Sequence, residues 1–480
     1  MSKIYEDKNF VEKLDRYLEE HKDQIVEDLK ALVRHKSVRQ APTENCMFGD
    51  DTYKCLKFAK GWAEERGFKA DLYDENKYVL ADFGEGDKTI GFFSHLDVVP
   101  EGDGWMCDPY DPIEYKGLIV GRGSQDNKQA AVEGLYTMMA LRDLNVPFHS
   151  KICLFMGGSE ESGMEDAKAF AANQPKPDFS IVSDSNFPFT QCETHSASFF
   201  GRSGAPFQQI TDFSGGLARN VVPDNAKVTL KADAALEEEL YALVGENGRF
   251  TFTKEGDLLE IRAKGESAHA NSPEGSLSAF WLLADLLAKA EKLDASDRKT
   301  MAFVAKILGD YYAEALGFAQ KDDIGNTLHC ISGMAHTEDG KLVLEFNSRT
   351  TSVADPEQIQ AAIVKTFSAE GWTMENFGFR LGYRIPEDDK RAKLCLEIYQ
   401  QVTGDTEHKP YGTGGGTYVR PLGSDAMVFG GNFPDETYPE LPAGQGTAHQ
   451  TNEAIRITNL LRAIKIYVLT MIELDKLLHE

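Results

Sequence analysis

The sequence predicts an α/β fold. A discontinuous domain with a central, mostly parallel sheet flanked by helices is interrupted by an inserted α+β domain of two strand–helix–strand halves. Three observations predict it. Short apolar runs alternate with amphipathic helices through the first 188 residues, the pattern of a sheet packed between helix layers. The texture changes near Phe189, where two segments of strand–helix–strand character follow. After Tyr383 the first texture returns, with one more apolar strand and a long closing helix. The expected boundaries are 1–188 with 384–480 for the discontinuous domain and 189–383 for the insert. A chain of 480 residues also exceeds what one ordinary core organises.

Each element has its own signal. Phe10, Leu14, Leu18, Ile25, Leu29 and Leu32 recur at helical spacing, so residues 8–38 read as a helix. Residues 39–51 read as a loop by their Pro, Gly and Asn. Residues 52–66 form a second amphipathic helix that Gly67 closes. Residues 78–83 and 89–93 read as strands, and the second runs into Ser94-His95-Leu96-Asp97. Residues 101–123 read as one long Gly/Pro/Asp-rich connection, a length usually tied to function. Gly121-Arg122-Gly123-Ser124-Gln125-Asp126 then leads into a helix over 127–142. Residues 151–156 and 179–182 are buried strands, followed by Gly157-Gly158-Ser159-Glu160-Glu161 and by Ser183-Asp184. In the insert, residues 227–293 and 326–370 make the two halves, with a helical stretch over 298–316 between them. Residues 389–402 are helical, 426–429 form a core strand, and 453–478 form the closing helix.

Composition excludes several classes of partner. The net charge of −26, from 51 basic and 77 acidic residues, argues against nucleic acid and anionic membrane surfaces. No apolar run approaches the ~18 residues that span a bilayer, and the N-terminus lacks the apolar segment of a signal peptide. The seven cysteines are scattered, odd in number and without a CxxC pair, which fits reduced thiols and a cytoplasmic location.

The ends of these apolar elements carry a constellation. His95, Asp97, Asp126, Glu160, Glu161, Asp184 and His449 are two imidazoles and five carboxylates, each at the edge of a strand or the start of a helix. Any one of them alone is a helix cap, a turn residue or a surface acid. Together they supply the N and O donors that zinc accepts, and a two-metal centre needs a carboxylate to bridge. Sites in open α/β sheets lie beyond the carboxyl ends of the strands, where these residues fall.

The segments SHLDVVP, GRGSQDNK, GGSEESG, IVSDS, GESAHANSPEG and TAHQTNE, in this order, resemble the aminoacylase/carboxypeptidase superfamily of di-zinc peptidases. The chain length and the loop YGTGGGTYVRPL make it most similar to the dipeptidase V (Xaa-His dipeptidase) branch. The resemblance implies that His95 and Asp184 hold one metal, that Glu161 and His449 hold the other, and that Asp126 bridges both. It implies that Asp97 orients His95 through the second ring nitrogen. Glu160 becomes the general base for a water shared between the metals, passing the proton on to the leaving amine. Zinc is the expected ion, and manganese and cobalt suit the same donors. One departure stands out: the superfamily's Asp-Asp-Lys is Asp126-Asn127-Lys128 here, with a neutral amide whose oxygen can still accept a hydrogen bond.

The insert is a lid by the same resemblance. His269, in Gly265-Glu266-Ser267-Ala268-His269, is then an oxyanion-stabilising group, and Asn220 and Arg349 contact substrate. Arg349 becomes the clamp for a peptide's terminal carboxylate. Read without the motif, His269 is an ordinary surface residue and Arg349 a salt-bridge partner within the insert. Gly415, among Gly414–Gly416, lets backbone approach substrate or simply makes a turn. Relatives with a lid about half this size dimerise through it and borrow the His from a partner. Here an insert of about 195 residues implies a monomer whose His269 acts within its own chain. The function implied is a metal-dependent dipeptidase acting on short peptides with free termini. An aminoacylase, carboxypeptidase or N-succinyl-amino-acid deacylase on the same scaffold is a second reading, and a non-catalytic metal or peptide binder a third.

Overall fold

The apolar runs of the sequence become the middle of a nine-stranded sheet. A computed structural model of the chain describes residues 3–323, 325–434 and 436–480. It divides into two units, Met1–Cys192 with Tyr383–Glu480, and Glu193–Gly382.

In the first unit the sheet order is Lys69–Tyr73, Tyr78–Phe83, Lys151–Gly157, Thr89–His95, Phe179–Val182, Ala426–Val428, Thr190–Glu193 and Tyr383–Arg384, with Tyr411–Thr413 also on Thr190–Glu193. The four strands from Lys151–Gly157 to Ala426–Val428 are parallel to one another, and the strands beyond them pair antiparallel at Lys69–Tyr73, Tyr78–Phe83 and Thr190–Glu193. Parallel central strands are covered on both faces, which is why they are near-continuous apolar runs. Helices Lys128–Asp143 and Ile457–Leu478 are buried along most of their length. Helix Lys8–Val33 starts where Asp7 accepts the N–H groups of Asn9 and Phe10 (3.0 and 3.2 Å). It ends where the buried Lys128 ammonium donates to the carbonyls of Leu32 and His35 (3.1 and 2.6 Å), a cation at the negative end of a helix. Parallel strands share one carboxyl edge. His95 closes one strand there, Glu160 and Glu161 follow Gly157, and Asp184 follows Val182.

The second unit carries an eight-stranded sheet in the order Phe250–Glu255, Leu258–Lys264, Asn225–Lys231, Ile210–Gly215, His329–Glu338, Lys341–Arg349, Ser196–Arg202 and Thr373–Arg380. Burial alternates along Asn225–Lys231 and Ser196–Arg202, so one face packs on a core that includes Phe213, Phe280, Phe346 and Phe367. Its two halves meet where Gly215 pairs with Ala335.

The structure corrects three sequence expectations and adds one strand that the sequence does not signal. The 101–123 connection contains a hairpin, Ile113–Tyr115 with Leu118–Val120. Its two-residue turn, Lys116-Gly117, has φ of +51° and +82°, the backbone of a tight hairpin, with lysine where Asn or Asp would have signalled it. The closing helix starts at Ile457, because Ala454–Arg456 pairs as a strand with Leu118–Val120. The helical stretch expected over 298–316 is helix Ala295–Ile307. Beyond it, Asp310 turns its carboxylate onto the N–H of Tyr312 (2.7 Å), a local bond that competes with continued helix. The strand Lys69–Tyr73, which lacks a clear apolar run, pairs at the sheet edge. Among the described residues no helix is long and apolar enough to cross a membrane, and all seven cysteines are free.

Candidate metal centre

His95 is 1% exposed at the end of its strand. Its Nδ1 lies 2.9 Å from the backbone carbonyl of Asp97 and 3.4 Å from that residue's carboxylate, so the nearer acceptor is main chain and not the side chain expected from the sequence. The Asp97 carboxylate is engaged elsewhere. It accepts the N–H groups of Glu160 (3.0 Å) and Glu161 (3.1 Å). Asp166 does the same for Gly158 (2.7 Å) and Ser159 (2.8 Å). Two carboxylates thus bind four successive backbone donors, which fixes the turn that presents the adjacent Glu160 and Glu161 side chains.

With Nδ1 committed as a donor, Nε2 of His95 faces Asp126 Oδ1 at 3.1 Å and Asp184 Oδ1 at 3.7 Å. It is a buried polar atom without a well-formed hydrogen bond. His449 Nε2 lies 2.8 Å from Glu161 Oε1 and 3.2 Å from Asp126 Oδ2. Two trios result, His95–Asp126–Asp184 and Asp126–Glu161–His449, each with donor atoms within 4.8 Å of one another and with Asp126 in both. His95, Glu160 and Glu161 also converge within that distance. An imidazole nitrogen and two carboxylate oxygens per trio is a donor set that fits a divalent transition metal.

Asn127, joined to Asp126 by a cis peptide bond, is buried beneath the first trio. Its Oδ1 accepts the His95 N–H (3.1 Å), and its Nδ2 donates to the Ser183 carbonyl (2.6 Å) and Asp184 Oδ1 (3.3 Å). The amide supplies both the acceptor and the donor that these contacts use.

The electrostatics are those of a cation site. Burial opposes charge on His95, but Asp126, Asp184 and Asp97 outweigh it and hold its pKa well above the usual imidazole value. Hydrogen bonds to Asp126 and Glu161 push His449 up to about 10. Burial would raise Asp126, yet His449 and His95 hold it well below the usual carboxylate range. Burial raises Asp184 to about 7. Burial and then Asp184 push Glu160 well above its usual value. Clustered carboxylates drawing protons onto themselves and onto two imidazoles mark a place where positive charge is favoured.

The remaining sequence candidates fall in two other places. Within the second unit, Asn220 Nδ2 lies 3.2 Å from His269 Nε2, the Ala270 N–H donates to the Asn220 carbonyl (2.9 Å), and Val221 bridges His269. Partial burial and then nearby Arg349 lower the His269 pKa. The insert therefore gathers its three predicted residues. Gly415 sits in an exposed loop of the first unit, where its N–H donates to Thr413 Oγ1 (3.2 Å) and its carbonyl accepts from Arg420 (2.7 Å). Arg122 and Glu453, within GRGSQDNK and TAHQTNE, are further residues of these loops, and their only signal in the sequence is their place in those segments.

Two imidazoles and their neighbouring carboxylates at ligand spacing, beside the carboxyl edge of a parallel sheet, are the donor set of a metal-binding protein. The chain belongs to Peptidase family M20/M25/M40, whose model matches residues 91–473, and is a metallopeptidase that binds divalent metal. A Beta-Ala-Xaa dipeptidase from Lactobacillus delbrueckii subsp. lactis is 28% identical over 473 residues, 95% of this chain and 97% of the relative. Human carnosine dipeptidase 1 matches at TM-score 0.54 and 18% identity, over 97% of this chain and 100% of that one. Aminoacylhistidine dipeptidase from Vibrio alginolyticus matches at TM-score 0.55 and 14% identity, over 94% and 96%. At these identities the two solved structures establish the likeness of fold.

Proposed function

We propose that the protein is a metal-dependent dipeptidase that hydrolyses short peptides with free amino and carboxyl termini at a centre of two divalent ions, zinc foremost. The observation that carries the reading is the place of Asp126 in both trios. His95, Asp126 and Asp184 would hold one ion, and Asp126, Glu161 and His449 the other. The name of the Lactobacillus relative, which matches nearly end to end, supports a dipeptide substrate.

A bound pair of divalent ions supplies Lewis acidity: it polarises the peptide carbonyl and lowers the pKa of the attacking water toward ~7. The residues do the rest. The Asp97 carbonyl holds the proton of His95 on Nδ1 and leaves Nε2 as a donor of electrons. Glu160 has a carboxylate with no hydrogen bond among the described residues, and its backbone is fixed by Asp97. It takes the water proton as the C–O bond forms and returns it to the amine as the C–N bond breaks. His269, with Asn220, acts on the developing oxyanion, Arg349 on the terminal carboxylate, and Gly415 on the substrate backbone. The protein works as a cytoplasmic monomer.

The test is metal analysis of the purified protein beside a panel of dipeptides, tripeptides and N-acyl amino acids, with and without chelator. Two equivalents of metal and chelator-sensitive cleavage of dipeptides are expected. Preferential cleavage of N-acyl amino acids would move the protein to the deacylase reading.

A further inference from the structure

A buried ion pair that the proposed chemistry does not use links the two loops carrying Asp126 and His449. Arg122 Nη1 meets Glu453 Oε2 at 2.6 Å, and each side chain is 1% exposed. The second oxygen of Glu453, Oε1, accepts the N–H groups of Gly123 (3.1 Å), Gln125 (2.8 Å) and Asp126 (2.9 Å). The second terminal nitrogen of Arg122, Nη2, donates to the carbonyls of Pro100 (3.4 Å), Glu101 (3.3 Å) and His449 (3.4 Å). The Glu453 carbonyl adds the Gly121 N–H (2.9 Å) and the Ser124 hydroxyl (3.2 Å). One side-chain pair therefore grips a backbone atom of the shared carboxylate residue and a backbone atom of the imidazole residue opposite it.

Stability alone does not explain such a pair, since burying two charges costs about what their attraction returns. Its contacts give a better account. His449 adopts a left-handed backbone, φ +65°, which a non-glycine residue keeps only when its surroundings impose it, and its carbonyl is one of those held by Arg122. The His95–Asp126–Asp184 trio has a separate brace, the amide of Asn127 between the His95 N–H and Asp184. Asn127 thus braces residues of the first trio alone, whereas Arg122 reaches His449, which belongs to the second alone.

We propose that Arg122 and Glu453 are positioning residues for the ion of the Asp126–Glu161–His449 trio, setting the reach between Asp126 and His449 and hence the affinity of that ion ahead of the other. This rests on the two-ion reading above.

Full-length wild type, Glu453→Gln, Arg122→Lys and His449→Ala are stripped with chelator and titrated with zinc by calorimetry. The His449→Ala titration marks which binding step belongs to its trio. Glu453→Gln keeps the shape and one acceptor oxygen. Arg122→Lys keeps the charge but gives up the fork, and decides the matter if the glutamine variant does not fold, as judged by circular dichroism. In a folded variant the step lost in His449→Ala weakens by ~10–100-fold, the usual effect of removing a partner that orients a ligand, while the other step, which shares only Asp126 with it, weakens less. Equal weakening of both steps, or an unchanged His449 step, overturns the proposal. A wild type that binds fewer than two ions overturns the two-ion reading itself, and that result is in hand before any variant is compared.

Discussion

His449 Nε2 stands 2.8 Å from Glu161 Oε1, although 288 residues separate the two in the chain. Only the return of the C-terminal segment to the first sheet's unit makes this possible, with Ala454–Arg456 paired on Leu118–Val120 just after the loop. His449→Ala is expected to cost one equivalent of bound metal and to lower dipeptide turnover by more than ~100-fold, a larger loss than orienting partners give. Elemental analysis beside a turnover assay checks it. A full metal complement in the alanine variant would remove His449 from the ligand set.

Glu160 is expected to separate binding from chemistry. Glu160→Gln keeps the volume and removes the base, so metal content should hold while kcat falls by ~10²–10⁴-fold. The wild-type rate with bound metal in this variant would sink the assignment, and loss of metal would make Glu160 a ligand, which its place with His95 and Glu161 allows to be tested directly.

The parallel centre of the first sheet was readable because strands buried on both faces are continuous apolar runs, as in Thr89–His95 and Phe179–Val182. The residues at those strand ends stood out for the same reason: a polar group directly after an apolar run is placed at the sheet edge. The rest is carried by main chain or by tertiary pairing, which leave no local mark in the sequence. Lys116 at φ +51° gives no turn signal, so the hairpin around it was hidden. Ala454–Arg456 runs in phase with the helix that follows, and only pairing with a distant strand distinguishes it. The Asp97 carbonyl has no side-chain signature as the acceptor for His95. Arg122 and Glu453 lie 331 residues apart, and no local pattern links them.

Asn127 marks this chain's own solution beneath the first trio, and a one-atom change probes it. In Asn127→Asp a carboxylate oxygen replaces Nδ2 against the Ser183 carbonyl (2.6 Å) and Asp184 Oδ1 (3.3 Å), turning two attractive contacts into acceptor against acceptor. Leaving such buried acceptors without a donor costs about 1–3 kcal/mol. The metal-free variant should therefore unfold at lower urea than wild type, with an unfolding free energy smaller by that amount. An unchanged midpoint would mean that the amide proton donors do nothing there.

Glu133 gives the metal-free protein a pH dependence that the metal centre does not explain. It lies fully buried on helix Lys128–Asp143, where its Oε2 accepts from the Ser183 hydroxyl at 3.0 Å, and that hydroxyl accepts in turn from Tyr467 at 2.8 Å. Burial raises its pKa from 4.5 to about 8, so the folded chain keeps a proton that the unfolded chain releases. The stability tied to this proton is fully present below pH 4.5, shrinks as pH rises, and is lost through pH 8. At pH 7 the loss is on the order of 3 kcal/mol, since each unit of separation between pH and the unfolded value is worth ~1.4 kcal/mol. Glu133→Gln keeps an oxygen for Ser183 and carries no titrating proton. Urea unfolding of the chelator-treated proteins at pH 5, 6, 7 and 8 should show the two nearly equal at the lowest pH and the glutamine variant increasingly ahead above it. Parallel curves across that range would show that Glu133 titrates alike in the folded and unfolded chain.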